Sequence, residues 1–556
     1  MQDARSPASL QVTAGRSGRN VAPPRRCCLP AGLIRSPVVS DIQSIVIVGG
    51  GTTGWLAACY LQRTLGAARQ SPLPITLIEA SQMARLGADE ATVPTLRHTL
   101  QALGIRESAV FSAADATLTN GIRFNGWRQG GPAADDSFDH PFDLPPPFHG
   151  FAATAHWLNL MQRGLTKQPM AHACTVQTSL FDARLCPKLM DSPDYQAPVS
   201  YGYQLDASRL AMLLQQTALE RGVRHVQGEV VKVHRGADGI ESVELANGQR
   251  HSASFFIDCT GSQSLLLQQA LGVPWVSYQE WLPCDRAVSL PVAHAKVHEP
   301  LRSYTTVTAQ DAGWTWEMDL QSRRGTGYVY SSRFLGDDEA VQQLRNLHAG
   351  HLELAAPRVR HLRSGHAARA WEANCLALGP AGGYVEPLES TGLYVVEWML
   401  QLFADHVAPA GNSVACRTRV NRVFADFYEE MRDFIVAHYA LSRRRDTPFW
   451  RACTEEATLP PRLAELLALW DSKVPTPTDL DRRLSLFGAA NWSYLLAGQH
   501  RLPSGGIGLS AHISPEISQK AMAHVRDIRR KASEASPTMR DYLLSLRTSA
   551  APQAAH

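Results

Sequence analysis

Apolar residues follow two rhythms along this chain. Short, unbroken apolar runs occur at Ser44–Val48, Pro74–Glu79, Phe255–Asp258 and Asn374–Leu378. Runs without polar alternation fit strands buried on both faces of a parallel sheet. Arg221–His234 and Ile240–Glu244 read as further strands. Between the first two runs the period becomes helical, from about Thr53 to Gly66, so this stretch predicts a β-α-β unit. A long helix is predicted from near Thr391, and residues 418–472 and 515–546 carry apolar side chains at helical spacing. No internal repeat is visible. The pattern predicts an α/β fold with a helical C-terminal part.

Length divides the picture further. A chain of 556 residues is too long for one hydrophobic core. The predicted organisation is a disordered Arg/Pro/Ser/Ala-rich tail at 1–43, a nucleotide-binding region at 44–417, a helical region at 418–548 and a short tail at 549–556. The net charge of +3 is small and no Lys/Arg block stands out, so nucleic acid is not an expected partner. No apolar run is long enough to predict a membrane span. The ten cysteines are scattered, Cys27-Cys28 being the only close pair, so no metal site is expected. Free thiols in a reducing cytoplasm are the expectation. Arg supplies most of the positive charge. The lysines are Lys167, Lys188, Lys232, Lys296, Lys473, Lys520 and Lys531, none in the first 166 residues.

The first chemistry lies at the turn after Val48. Gly49-Gly50-Gly51-Thr52-Thr53-Gly54 satisfies the dinucleotide-binding glycine spacing, directly after a strand and opening a helix. Gly49 permits the tight turn, Gly51 lets a pyrophosphate approach the backbone, and Gly54 lets helix and strand pack closely. The helix N-terminus faces the phosphates. Glu79, ending the second strand, stands where an acid accepts hydrogen bonds from ribose hydroxyls. These residues predict a dinucleotide and leave FAD and NAD undistinguished.

Longer strings separate the two. Gly49–Ala58 (GGGTTGWLAA), Arg85–Leu96 (RLGADEATVPTL), Phe256–Gly261 (FIDCTG), Gly313–Trp316 (GWTW), Gly327–Phe334 (GYVYSSRF), Glu386–Tyr394 (EPLESTGLY), Arg432–Tyr439 (RDFIVAHY) and Asp446–Trp450 (DTPFW) resemble the flavin-dependent tryptophan halogenases. The resemblance runs from about Ile45 to about Leu546. It implies an FAD-binding Rossmann-like fold of the aromatic hydroxylase type, with an inserted mixed sheet and a helical substrate subdomain. It implies FADH2 delivered by a separate flavin reductase, oxygen, chloride or bromide as co-substrate, and a small electron-rich aromatic substrate. A homodimer is a frequent assembly in the family.

The resemblance also assigns residues. Gly49, Gly50, Gly51, Thr52, Thr53, Gly54, Glu79, Ala80, Ala91, Val230, Leu378 and Leu393 match cofactor positions, and Thr391 with Gly392 matches a backbone halide site. Glu389 matches the catalytic glutamate, followed by Ser390, and a carboxylate there can accept the proton lost after electrophilic attack. Trp314 and Trp316 match an aromatic wall between flavin and substrate chambers. His140 and Phe142 match substrate-chamber positions. Glu386 is read as structural.

Three departures stand against the family pattern. The catalytic lysine precedes an Ile-[Lys/Arg]-Phe-x-x-Trp string in the family, and here Ile122-Arg123-Phe124-Asn125-Gly126-Trp127 places Thr119 at its position. Thr carries no amine and no charge. Met318-Asp319 replaces Ile-Pro after Trp316, which frees that strand to shift. The stretch from Pro475 to Trp492 is shorter than in free-tryptophan halogenases, although Phe487, Trp492 and Tyr494 are present, so a substrate larger than or different from free tryptophan is expected. Halogenation is the family default. A flavin hydroxylase that does not halogenate, and a non-catalytic FAD-binding protein, remain the alternatives.

Overall fold

The computed structural model describes residues 42–66, 73–80, 89–129, 136–296, 298–480, 486–503 and 512–550. The expectations for residues 1–41 of the 1–43 tail, for Cys27-Cys28, for positions 85–88 of the Arg85–Leu96 string and for residues 551–556 of the 549–556 tail lie outside the described residues, while Ile42 is buried, the Gln43 amide donates to the Ser254 hydroxyl, and 549–550 belong to the helix Met539–Ala550. So does part of the shortened Pro475–Trp492 stretch.

The unbroken apolar runs form a six-stranded sheet in the order Arg224–Gln227, Ile75–Glu79, Ile45–Val48, Phe255–Asp258, Cys375–Ala377 and Trp371–Glu372. All neighbours are parallel except the last pair. Ile45–Val48 and Phe255–Asp258 are buried along their whole length, as central parallel strands should be. The helix Thr52–Gly66 packs its buried Trp55, Leu56, Ala57, Cys59 and Leu61 into this core. Trp55 presents its ring edge to His225 on the outer strand, at 5.1 Å between centroids.

A second, seven-stranded mixed sheet runs Arg358–His361, Arg286–Ser289, Arg324–Tyr330, Gly313–Asp319, Thr305–Gln310, Gly121–Asn125 and Ser137–Pro141. This sheet carries Trp314, Trp316 and His140. The loss of the Ile-Pro pair does not shift the Gly313–Asp319 strand: it stays paired with Arg324–Tyr330 from Gly313↔Tyr330 to Asp319↔Arg324. Asp319 is buried and bound by Arg302 and Arg324, at 3.0 and 2.8 Å. Those two guanidiniums, outweighing burial, hold its carboxyl well below the usual carboxylate range. A charged clamp on Asp319 therefore holds the strand at the position where the resemblance led us to expect a proline.

Two predicted segments are cut more finely than their periodicity suggests. Arg221–His234 contains two strands, Arg224–Gln227 and Val230–Gly236, belonging to different sheets. The C-terminal helices break at prolines: Val414–Ala440 is followed by a new start at Pro448, another at Pro461, and Pro515–Ala535 is separated from Met539–Ala550 by Pro537. The helix Gly392–Ala410 begins where Thr391 was expected to open it. Among the described residues, no helix is long and apolar enough to cross a membrane.

Candidate active site

The four turn glycines do different work. Gly49 has φ +114°, and a β-carbon there would lie 2.2 Å from the Cys259 carbonyl oxygen. A β-carbon on Gly54 would lie 1.9 Å from the Gly49 carbonyl oxygen, and one on Gly50 would lie 2.3 Å from Glu79 Cδ. These three positions keep the turn packed against the protein itself. Gly51 has nothing within 4 Å of a β-carbon and borders a cavity of about 530 Å³. It alone presents open backbone, at the first turn of a helix, which suits a pyrophosphate.

That cavity is lined by Gly51, Thr52, Thr53 and Ala91 from the nucleotide side and by Ser390, Thr391, Gly392 and Leu393 from the helix start. Trp314 and Trp316 also line it, with ring centroids 6.2 Å apart at 60°. The structure thus gathers the predicted flavin, halide and aromatic-wall residues around one space. It does not place Val230 or Leu378 there. Val230 packs beside Ile78 and Phe256 behind the parallel sheet, and Leu378 is buried with its amide donating to the Asp258 carbonyl at 2.9 Å. Glu79, the expected ribose acceptor, is also outside the lining and lies 3.2 Å from His225 Nε2. Ala80 follows it at the strand end, likewise outside the lining. Cys259, Thr260, Gly261, Gly379 and Pro380, at the carboxyl ends of two sheet strands, line the cavity too. Their signal in the sequence is the position of a polar or glycine step directly after a buried strand, where ligands of open α/β sheets bind.

Glu386 and Glu389, three residues apart, have opposite electrostatics. Glu386 is fully buried and accepts from Trp314 Nε1 at 2.8 Å and from the Tyr439 hydroxyl at 2.7 Å, on the same oxygen. Burial outweighs both hydrogen bonds and pushes its carboxyl up to about 7. It holds the wall tryptophan in place, in keeping with a structural part.

Glu389 lies between two imidazoles. His140 Nδ1 is 2.9 Å from one carboxylate oxygen and His438 Nε2 is 2.8 Å from the other. Burial would raise this carboxyl, but attraction to His140 and hydrogen bonds from both rings override it and hold it at about 2. Asn491 closes off the far side of His140: its Oδ1 accepts from the Gly488 amide and its Nδ2 lies 2.9 Å from His140 Nε2. Both nitrogens of His438 face acceptors, the Glu389 carboxylate at 2.8 Å and the Phe434 carbonyl at 2.9 Å. Ser390, directly after Glu389, is in the left-handed region at φ +58°, a strained backbone of the kind that gathers at reacting centres. Sequence reasoning missed the part played by His438. Its signal was a histidine inside the otherwise apolar run Phe434–Tyr439.

The lysine position offers nothing in exchange. Thr119 is buried and its hydroxyl donates to the Gly121 carbonyl at 3.1 Å. Arg123 is bound to Asp139 and Asp182. Lys188 is buried against Glu107 at 2.6 Å. Beside Thr119, Asn120 is fully buried and neither polar atom of its side chain meets a protein partner among the described residues. Phe142 follows the His140 strand and its amide donates to the Asn120 carbonyl at 3.1 Å. Next to His140, Phe434 stacks on Phe487 at 3.8 Å and meets Trp492 edge-on at 4.8 Å, while the Tyr494 hydroxyl donates to the Asp143 carbonyl. These aromatics are packed core on one side and neighbours of the His140–Glu389 pair on the other.

Residues 44–514 match the tryptophan halogenase family. The tryptophan 7-halogenase RebH of Lentzea aerocolonigenes is 33% identical over 530 residues, covering 90% of this chain and 98% of that protein. The 7-chloro-L-tryptophan 6-halogenase KtzR of Kutzneria sp. (strain 744) is 32% identical, covering 90% and 99%. Among solved structures, a tryptophan halogenase from Shewanella frigidimarina NCIMB 400 superposes with a TM-score of 0.85 at 31% identity, covering 92% of this chain and 98% of its own. With the glycine turn, the glutamate before the strained Ser390 and the aromatic wall arranged as above, this chain belongs to the tryptophan halogenase family.

Proposed function

We propose that this chain uses FADH2, delivered by a separate reductase, with oxygen and a halide to modify an electron-rich aromatic ring of indole or pyrrole type. The observation that carries this reading is the single cavity in which Gly51, Thr52 and Thr53 meet Thr391, Gly392 and the Trp314–Trp316 wall, with Glu389, held between His140 and His438, directly before its lining residue Ser390. Reduced FAD, when bound, supplies the electrons that let oxygen turn halide into an electrophilic oxidant. The open backbone at Gly51, with Thr52, Thr53 and Ala91, suits its pyrophosphate and adjoining parts, and Thr391 with Gly392 offers backbone amides to the halide. Glu389 receives the proton that leaves the ring after attack. The two imidazoles orient its carboxylate and offset the charge it carries in a dry site.

Thr119 favours a second reading within the same chemistry. Thr119 brings no amine to the position matched to the family lysine, and Arg123 and Lys188 are engaged with acids, so transfer of oxygen to the ring, without halogen, competes with halogenation. The shortened 475–492 stretch supports a substrate larger than or different from free tryptophan. All eight described cysteines are free, which supports a reducing compartment such as the cytoplasm.

The test supplies FAD, NADH, bromide and a panel of indoles and pyrroles, with and without a flavin reductase. Product that appears only with the reductase and carries bromine supports the first reading. Product carrying oxygen alone supports the second. Rapid bleaching of bound FAD by NADPH with no reductase contradicts both.

A further inference from the structure

The amides expected to hold the halide already have an anionic partner. Glu90, on the short strand Asp89–Ala91, lines the same cavity as Thr391, Gly392 and Leu393. Its carboxyl accepts a hydrogen bond from the Leu393 backbone amide. One oxygen comes so close to Gly392 that a β-carbon on that glycine would lie 2.8 Å from it. The Gly392–Ala410 helix has no cap of its own, because Thr391 makes no side-chain hydrogen bond to the first turn. First-turn amides are unsatisfied donors at the positive end of a helix and seek an anion. A carboxylate from a distant strand fills that need here, and like charges at contact distance exclude one another.

We propose that the Glu90 carboxylate competes with halide for the Thr391–Leu393 amides, so that halide enters when Glu90 withdraws or takes up a proton. The inference rests on the reading of Thr391-Gly392 as the halide site. Burial raises the Glu90 carboxyl to about 7, against the single Leu393 hydrogen bond. The charged surroundings do little to oppose this. Asp89, its neighbour on the strand, is bound by Arg323, which also holds Asp206 of the adjoining strand at 2.9 Å. Tyr384 and Arg360 line the same cavity as Glu90, and Glu386 and Glu90 both act electrostatically on the Tyr384 hydroxyl. Glu397, on the helix, is engaged with Thr95 at 2.8 Å. Among the described residues no cation pairs with Glu90. A group titrating near 7 is protonated in about one molecule in ten at pH 8, which weakens apparent halide affinity roughly tenfold if only the protonated form admits halide.

Chloride binding to the full chain without flavin, read by chlorine-35 NMR line broadening, tests this. Glu90→Gln keeps the side-chain shape and removes the charge; Glu90→Ala removes both. Each should bind chloride roughly tenfold more tightly than the parent at pH 8, and the gap should close toward pH 6 because the parent improves while the variants stay level. Equal affinity of parent and both variants at pH 8 overturns the competition and leaves the halide site standing. The double change Glu90→Ala with Gly392→Pro deletes one amide of the nest and should lose the binding. If it binds as well as Glu90→Ala, or if no form binds chloride, the halide-site reading itself fails and the competition with it. Thermal unfolding of each variant verifies that it is folded.

Discussion

His438 Nε2 lies 2.8 Å from Glu389 Oε1, although the two residues come from separate elements, the long Val414–Ala440 helix and the loop before Gly392. With His140 on the opposite oxygen, this contact fixes the orientation of the carboxylate that we propose as the proton acceptor, directly before the strained Ser390. Neither imidazole has a nitrogen left to grip an oxidant, because Asn491 and the Phe434 carbonyl occupy the outer ones. The set can take a proton from the ring; it does not stand in for the amine that Thr119 lacks.

If that missing amine limits halogenation, Thr119→Lys should raise brominated product from an indole by roughly tenfold or more, since a charged donor is restored to the oxidant's position. Product ratios by mass spectrometry under reductase coupling measure this. An unchanged ratio of brominated to oxygenated product means that the chamber has diverged beyond that one side chain.

Gly51→Ala and Gly49→Ala should part company. Gly51 faces open space, so its variant should fold normally and bind FAD at least about tenfold more weakly, the added methyl lying where the pyrophosphate approaches. Gly49→Ala meets the Cys259 carbonyl at φ +114° and should lose folded protein outright. Flavin fluorescence titration and thermal melting separate the two effects. Equal FAD affinity of parent and Gly51→Ala places the pyrophosphate elsewhere.

Trp314→Phe removes one of two donors to Glu386, whose other oxygen is already without a partner among the described residues. The expected loss of stability is about 1–3 kcal/mol, as for other buried hydrogen bonds broken on one side. Urea unfolding measures it, and a change of only a few tenths would show that the Trp314–Glu386 bond does not hold the wall.

Stability should fall as pH rises through neutrality. Glu90, Glu386 and Glu397 are each raised by burial to about 7 from an ordinary 4.5. Between those values the folded chain keeps protons that the unfolded chain has released, so the stabilisation is complete below about 4.5 and is lost as pH passes 7. A rise of that size corresponds to roughly 3 kcal/mol per carboxyl. Glu389, held at about 2, acts in the opposite sense, but only below about pH 4.5. Melting temperature without flavin should therefore drop between pH 5.5 and pH 8, and a flat or rising profile contradicts the burial of these acids as neutral groups.

The parts of the site that could be read from sequence are those whose chemistry is local. The glycine turn follows from one strand, one turn and one helix, and the Gly392–Ala410 helix start was in place within a residue. Glu389, Trp314 and Trp316 were carried by a resemblance, and the structure brings both tryptophans to the cavity. What the sequence withheld are contacts between distant segments. His140 was named as a chamber residue, yet its partnership with Glu389 spans 249 positions. Glu90 passed unremarked beside Ala91, because its meaning lies in Leu393 on another element. Val230 and Leu378 were assigned to the cofactor by the resemblance alone, and neither lines the cavity that gathers the other flavin residues.

Glu389→Gln tests the central claim most directly. The substitution keeps the size, removes the basic carboxylate and replaces one of its two acceptor oxygens by an NH2 donor, so FAD affinity should hold while turnover of an indole under reductase coupling, with oxygen and bromide, falls by about a hundredfold or more. Turnover of the Glu389→Gln variant equal to that of the parent, with the same product, would contradict the assignment of Glu389 as the proton acceptor at this site.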